Sequence, residues 1–357
     1  MAITTRKGTQ SFVLIFIILI TNGPLALAQR RAKAPDAVLE SNIRAELGFL
    51  ASDAMQGRGS GTNYERVAAE YIGSMFRQFG LEPGGDTDAA GARSYVQTVD
   101  LATQNFNEIV TLPEGAKVEI GGPTETAQSS STWNAVGFIK GSDPRANEAI
   151  MLSAHLDHLG VNDAALGDKI FNGADDDASG CVAVLELARA LAAGRRPRRT
   201  VYFVCFGSEE RGGYGARHFV DHSPVPLDHV VADITFEMLG RPDPKVSANT
   251  LWLTGFERSN LGSTLARRGA LLVADPHPEQ NFFQRSDNYT LALRGVVAHT
   301  VSSFNLHSDY HRPSDELSKI DFPFMARSIK SLIIPIRWLA NSKFKPSWLP
   351  GKAPVRN

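Results

Sequence analysis

The chain has 357 residues, 43% of them hydrophobic and 21% charged, with 37 basic against 38 acidic side chains. That apolar content excludes a disordered chain, and a net charge of -1 lacks the basic excess that marks a nucleic-acid binder. Two cysteines, Cys181 and Cys205, exclude a disulfide scaffold, and the length allows two domains or one large α/β domain.

At the N-terminus, Arg6 and Lys7 precede an apolar run from Phe12 to Ile20, which Thr21-Asn22-Gly23-Pro24 breaks. Ala26-Leu27-Ala28 is a small-x-small cleavage site, so residues 1–28 read as a signal peptide with Gln29 as the mature N-terminus. The run is too short for a membrane helix, which needs ~20 apolar residues, and leaves an uncleaved interfacial anchor as the alternative. No later segment spans a membrane, so the expectation is an exported protein, periplasmic or secreted. Export permits a Cys181–Cys205 disulfide. Yet Cys181 sits in an apolar helical pattern and Cys205 inside the strand-like VYFVCF, which favours two buried thiols.

Helical periodicity covers 36–51 and 64–79. In the second, Val67, Tyr71, Met75 and Phe79 recur every fourth position and Gly80 ends the helix. A small strand and loop excursion follows near 95–132, with YVQTVDL, AKVEI and a polar loop between Gly121 and Thr132, and WNAVGFIKG comes next. Apolar strands at 149–154, 200–206, 229–238 and 296–301 then alternate with helices at 179–193, 213–221, 260–268 and 286–293. This is an α/β pattern, with a mixed, largely parallel central sheet covered by helices on both faces. A final helix over 323–341 carries Pro335 as an expected kink. The reading is a single domain over 29–345 and a C-terminal tail over 346–357.

Ligands of open α/β sheets bind beyond the carboxyl ends of the strands, and metal-type side chains gather there. Strand 149–154 runs into His155-Leu156-Asp157-His158. The segment Gly173-Ala174-Asp175-Asp176-Asp177-Ala178-Ser179-Gly180 stands before a helix. The next two strands deliver Glu209-Glu210 and Glu237-Met238-Leu239-Gly240, and the loop after the last contains His307, Asp309, Tyr310 and His311. Singly, an acidic triplet is more often a helix cap and a Glu pair more often a solvated surface. Together, at successive strand ends, they point to a metal site.

In this order, HLDHLG, NGADDDASG, SEERGGYG, FEMLGR and DYHRPSDE resemble the co-catalytic zinc aminopeptidases, a family related to glutamate carboxypeptidase II and the glutaminyl cyclases. GRGSGTNYERVAAEYI with FGLEPGGD, and RSDNYTLALRG, are similar to that family's N-terminal and late segments. The resemblance implies two Zn2+ per chain, a zinc-exopeptidase fold and peptide substrates. It implies His155 and His311 as imidazole ligands, one on each zinc, and Asp176 as the bridging carboxylate. Glu210 would join His311, and Glu237 would join His155. Glu209 would be the general base, and Asp157 would orient His155. Asp175 and Asp177 are not implied as ligands, and helix capping suits Asp177.

Physical chemistry fits this division. Two zinc ions ~3.5–4 Å apart need a carboxylate between them, and zinc takes imidazole nitrogen and carboxylate oxygen with a position left open. Residues i and i+2 of a strand share a face, so His155 and Asp157 can meet. The chain departs from the family at Glu237, where Asp is usual, and at Asn288, where the late motif often has His. His158 and His307 are left open as site residues. The leading reading is an aminopeptidase. A glutaminyl cyclase with one working zinc, a carboxypeptidase gripping substrate through Arg211, Arg241 or Arg285, and a non-catalytic relative are the alternatives.

Overall fold

Strands apolar on both sides build the centre of the molecule. In the computed structural model, which describes residues 38–101, 130–144 and 147–355 together with Ala2, the strands are β1 (Glu82–Pro83), β2 (Val96–Asp100), β3 (Ser131–Ile139), β4 (Ala149–His155), β5 (Gly160–Val161), β6 (Ile170–Phe171), β7 (Thr200–Phe206), β8 (Val230–Glu237), β9 (Leu251–Leu253), β10 (Leu272–Ala274) and β11 (Ala298–Ser302). The main sheet runs β1-β3-β7-β4-β8-β11-β9-β10, with β2 also paired to β3. Its centre, β7-β4-β8-β11, is parallel, while β3 and β9 join that centre antiparallel. The short β5 and β6 form a separate hairpin.

Period-2 alternation sends each strand's side chains to two cores. Ile150, Leu152 and Ala154 of β4, with Val201, Phe203 and Cys205 of β7, face one layer; Ala149, Met151, Tyr202, Val204 and Phe206 face the other. The first layer is covered by α1 (Glu40–Leu50), α2 (Asn63–Gln78), α3 (Gly180–Ala192), α5 (Leu261–Arg267) and α7 (Phe322–Asn341). The second is covered by α4 (Tyr214–Asp221) and α6 (Asn288–Ala292). Helices on both faces of a mixed sheet are what the alternating pattern predicts. β4 leads through α3 to β7 on one side and the chain then returns to β8 on the other, so the winding reverses at β4. Such a reversal opens a crevice at the strands' carboxyl ends.

Three details differ from expectation. The core stripe of α2 is Ala68, Ile72 and Phe76 with Ala69 and Gly73, while Val67 is 37% exposed. Small residues win this face because the helix lies close to the chain beneath: a Cβ on Gly73 would stand 2.8 Å from the Cβ of Tyr95. The strands β9 and β10 were not anticipated, since three-residue runs show no period. Helix α7 continues through Pro335.

Cys181 and Cys205 are free and buried, with the Cys181 thiol donating to the His155 carbonyl at 3.0 Å. Beyond α7, Leu349 N donates to Arg258 O and Trp348 packs against Phe283 and His299, which pins the start of the segment read as a tail. The signal-peptide segment, the AKVEI strand and most of the polar loop after it lie outside the described residues; Ser131 and Thr132 belong to β3.

Candidate metal centre

Four parallel strand ends carry the site. β4 stops at His155, β7 at Phe206 just before Glu209 and Glu210, and β8 at Glu237; β11 stops at Ser302, ahead of the loop that holds His311. The acidic triplet enters between them from the irregular turn Ala174–Ser179 that precedes α3. Several residues in these loops, Ser208, Met238 and His311 among them, have φ near +55°, a left-handed conformation uncommon for non-glycine residues and concentrated at functional sites.

Asp176 stands at the middle. Its Oδ1 lies 3.3 Å from His155 Nε2 and its Oδ2 lies 3.2 Å from His311 Nε2, so the carboxylate faces one imidazole with each oxygen. His311 Nε2 is also 3.1 Å from Glu210 Oε2. Separations of about 3.3 Å are the edges of a tetrahedron of ~2.0 Å bonds, the spacing of ligands around zinc rather than of partners to one another. His311 Nε2 and Glu237 Oε2 are buried atoms with no hydrogen-bond partner, as ligands aimed at a cation would be. The residues present therefore fit zinc.

The surrounding charge agrees. Burial works against a proton on His155, but Asp177, Asp157 and Asp176 outweigh it and hold the imidazole pKa well above its usual range. His311 is likewise opposed by burial but pushed up to about 10 by Asp176 and Glu210. Burial pushes the Glu209 carboxyl well up, His155 opposes, and Asp287, Glu210 and Glu237 add to the rise. Glu237 is raised too, first by burial, with His155 opposing and Asp176 adding. So many acids around two imidazoles make a centre that calls for cations.

Glu237 lines an open cavity together with Asp176, Glu209 and Glu210. The rest of the lining is mixed: Met238, Trp252, Phe282 and Phe304 are apolar, and Thr254, Thr300, Ser302, Arg285 and Tyr310 are polar. Asp157 does more than expected. Its Oδ1 lies 3.7 Å from His155 Nδ1, which is nearer to the Asp157 carbonyl at 3.2 Å. The same carboxylate accepts from the amides of Glu209 at 2.9 Å and Glu210 at 3.3 Å, and so sets the backbone of both. Asp177 accepts from Gly180 N, the first residue of α3, and also from the amides of His155 and Met238.

Of the histidines left open, His158 Nδ1 is 2.8 Å from Glu210 Oε1 and the residue is buried; His307 Nε2 pairs with Asp175 at 3.0 Å. Asn288 is committed to packing, donating to Phe283 O and accepting from Thr300. Arg241 is held by Asp309 at 2.7 Å and Asp315 at 3.2 Å, which leaves Arg285 as the arginine in the cavity wall.

Residues that sequence reasoning missed lie one layer out, inside motifs that were noticed. Arg58, 1% exposed, donates to the carbonyls of Leu50, Leu156, Asn172 and Gly173, tying the His155 and Asp176 segments together. Ser60 donates to Asp157 at 2.6 Å, and Glu65 accepts from Gly61 N, Thr132 and Ser208 N. Asp315 accepts from the amides of Asp175 and Asp176. Asp287 is 2% exposed with neither carboxylate oxygen partnered, and burial pushes it well up. GRGSGTNYE, DYHRPSDE and RSDN were the available signals, but a motif does not say which of its residues bonds to what.

A carboxylate with an imidazole opposite each oxygen, beside an open cavity at the switch point of an α/β sheet, defines a metallohydrolase class of centre. The model of peptidase family M28 matches residues 134–333, more than half of the chain, and the chain belongs to that family. The leupeptin-inactivating enzyme 1 of Streptomyces exfoliatus is 32% identical over 135 residues, 36% of this chain and 28% of its own length. An aminopeptidase of Pseudomonas aeruginosa is 31% identical over 119 residues, 32% and 20% of the two chains. The matched segments thus span under a third of those relatives. An aminopeptidase from Aneurinibacillus sp. strain AM-1 superposes with a TM-score of 0.60 at 16% identity, over 91% of this chain and 100% of that one. The Legionella pneumophila LapA aminopeptidase gives 0.58 at 19%, over 87% and 74%. These likenesses establish the fold.

Proposed function

We propose that the protein is an exported, two-zinc aminopeptidase that removes N-terminal residues from peptides. The observation that carries this reading is Asp176 with one imidazole opposite each oxygen, at ligand spacing, lining a cavity that also offers four apolar side chains. His155, Asp176 and Glu237 would hold one zinc, and His311, Asp176 and Glu210 the other. Bound zinc supplies a Lewis acid and lowers the pKa of water. Glu209, raised by burial and by its acidic neighbours, takes the proton of the attacking water and passes it to the leaving amine. The carboxylate-lined floor suits a substrate α-ammonium, and Met238, Trp252, Phe282 and Phe304 suit an apolar first side chain. A carboxypeptidase would need cations to grip a terminal carboxylate; Arg241 is already paired, and Arg285 in the cavity wall is the arginine that reading would have to use.

Metal analysis beside hydrolysis of a panel of aminoacyl anilides tests the reading. Two zinc equivalents and anilide turnover abolished by chelation are expected. Full activity with one tightly held zinc supports the cyclase alternative, and cleavage confined to N-blocked substrates with a free carboxylate supports the carboxypeptidase. Export rests on the charged, apolar and small-x-small segments of residues 1–28; an N-terminus at Gln29 in protein recovered outside the cytoplasm is the expected result.

A further inference from the structure

We propose that His158 is a positioning residue of the metal centre: its Nδ1–H holds Glu210 so that one carboxylate oxygen alone faces the cation shared with His311. The inference rests on the two-metal reading above and goes beyond it, since none of the assigned ligands or acids is His158.

Two imidazoles approach Glu210, and their distances separate their roles. His311 Nε2 is nearly equidistant from two acids, 3.1 Å from Glu210 Oε2 and 3.2 Å from Asp176 Oδ2, and makes no hydrogen bond. That is ligand spacing. His158 Nδ1 is 2.8 Å from Glu210 Oε1 but 3.9 Å from Asp176 Oδ2. That inequality is a hydrogen bond to a single acceptor. One atom each from His158, Asp176 and Glu210 does fall within 4.8 Å of the others, so His158 as a direct ligand is the competing arrangement. It would have to give up the bond to Oε1 and close the gap to Asp176.

A second observation concerns the ring itself. The His158 side chain is fully buried and packs closely against Gly173, where a Cβ would come within 2.6 Å of ring carbons and where φ is +56°. His158 N donates to Arg58 O, and the Arg58 guanidinium bonds Gly173 O, so one residue fixes both sides of the contact. The ring's place is set by this packing and by the backbone bond, while its Nε2 makes no hydrogen bond, so its one polar contact is the bond to Glu210. Glu210 Oε1 is thereby occupied and Oε2 is left for the metal. Hydrogen-bond partners that orient a metal ligand typically contribute about 10–100-fold in metal affinity.

The test is zinc affinity measured against a chromogenic chelator, with the wild type, His158→Phe and His158→Asn. Phenylalanine keeps the ring's bulk and loses the donor; asparagine places an N–H near the position of Nδ1. The expected result is a loss of about 10–100-fold at one of two sites in the Phe variant, the other site unchanged, and most of the loss restored by Asn. Cobalt-loaded wild type and Phe variant should show the same ligand-field spectrum at saturation, because no ligand is removed. Unchanged affinity in the Phe variant overturns the proposal, as does equal loss at both sites. A saturated cobalt spectrum that has lost a nitrogen ligand overturns it in favour of direct ligation. If the Phe variant does not fold, the Asn variant decides, and a site lost there overturns the proposal. A wild type that binds one zinc sinks the two-metal reading instead, and the His158 comparison is then read on that ion.

Discussion

Glu209 and Glu210 are adjacent, share an anchor in Asp157, and end in different surroundings. Glu210 contacts His158 and His311, and these imidazoles hold its pKa down at about 2 despite its burial, the state a ligand needs. Glu209 is pushed up by burial and by its acidic neighbours, which makes its carboxylate the stronger proton acceptor of the two. Glu209→Gln keeps the shape and removes the acceptor, so turnover should fall by roughly 10²–10⁴ with zinc content intact. Zinc lost in that variant would mean that the two roles are exchanged. Glu237 poses a different question, because its carboxylate reaches one methylene further than the usual Asp. Its unpartnered Oε2 argues that it reaches a cation, since a buried unpaired acid would cost several kcal/mol. Glu237→Ala should lose chiefly the zinc held with His155, and activity with it. Glu237→Asp should keep both ions more weakly and turn over more slowly, because the backbone is fitted to the longer side chain. Two zincs and normal turnover in the Ala variant would make FEMLG a structural motif. Zinc mass spectrometry beside anilide kinetics reads all three variants.

At the scale of elements, β4 and β8 share a buried acid that has no part in metal binding. Asp233 accepts from Ser153 at 2.9 Å and from Thr235 at 2.9 Å, and those hydroxyls lie 3.0 Å apart, closing a ring of three polar groups. Burial, only partly offset by the two hydroxyls, pushes the Asp233 pKa up to about 7, against ~3.9 in an unfolded chain. The folded state therefore holds this proton more tightly than the unfolded one. Its contribution to stability is full below pH ~4 and is lost as pH rises to about 7, on the order of 4 kcal/mol in total. Asn fits the same ring, donating to Thr235 and accepting from Ser153. Urea midpoints should show Asp233→Asn gaining on the wild type between pH 5 and pH 8; a constant gap between the two would show that Asp233 is ionised throughout. Elements of this kind were legible wherever periodicity or continuity was long enough. β4, β7 and α3 fall within a residue or two of expectation, whereas β9 and β10 are three residues each and α2 buries the stripe beside its larger apolar residues. The clustering of metal-type side chains was legible because few side chains bind zinc and most of them follow strand ends; which of them would ligate came from the family resemblance. Arg58, Glu65 and Asp315 were not, because they act on backbone amides and carbonyls brought near only by the fold.

Across the whole molecule, the two ends of the sheet are held by opposite means. At the amino ends of the parallel strands, Arg199 bonds Glu148 at 2.7 Å and the Leu339 carbonyl of α7, and Arg198 pairs with Asp143. That end is complete without any ion. At the carboxyl ends, Asp157, Asp176, Glu209, Glu210, Glu237 and Asp287 crowd around a few imidazoles, and folding drives these acids together. The zinc that would bind there holds the folded state and not the unfolded one, so each site adds stability by mass action, ~4 kcal/mol at a thousandfold excess over its dissociation constant. Stripping both ions should therefore lower the melting temperature by roughly 16–32 °C, at ~2–4 °C per kcal/mol, and stripping one by about half of that. The loss should also be local. Amide exchange should quicken in the loops around 155–158, 173–180, 208–213, 238–241 and 305–315, while β4, β7 and the far end near Arg199 keep their protection. Calorimetry and exchange on the same chelated sample decide it. An unchanged melting temperature would mean that the acids are satisfied by protons alone. Exchange quickened evenly over the sheet would mean that the two ends do not unfold as separate units.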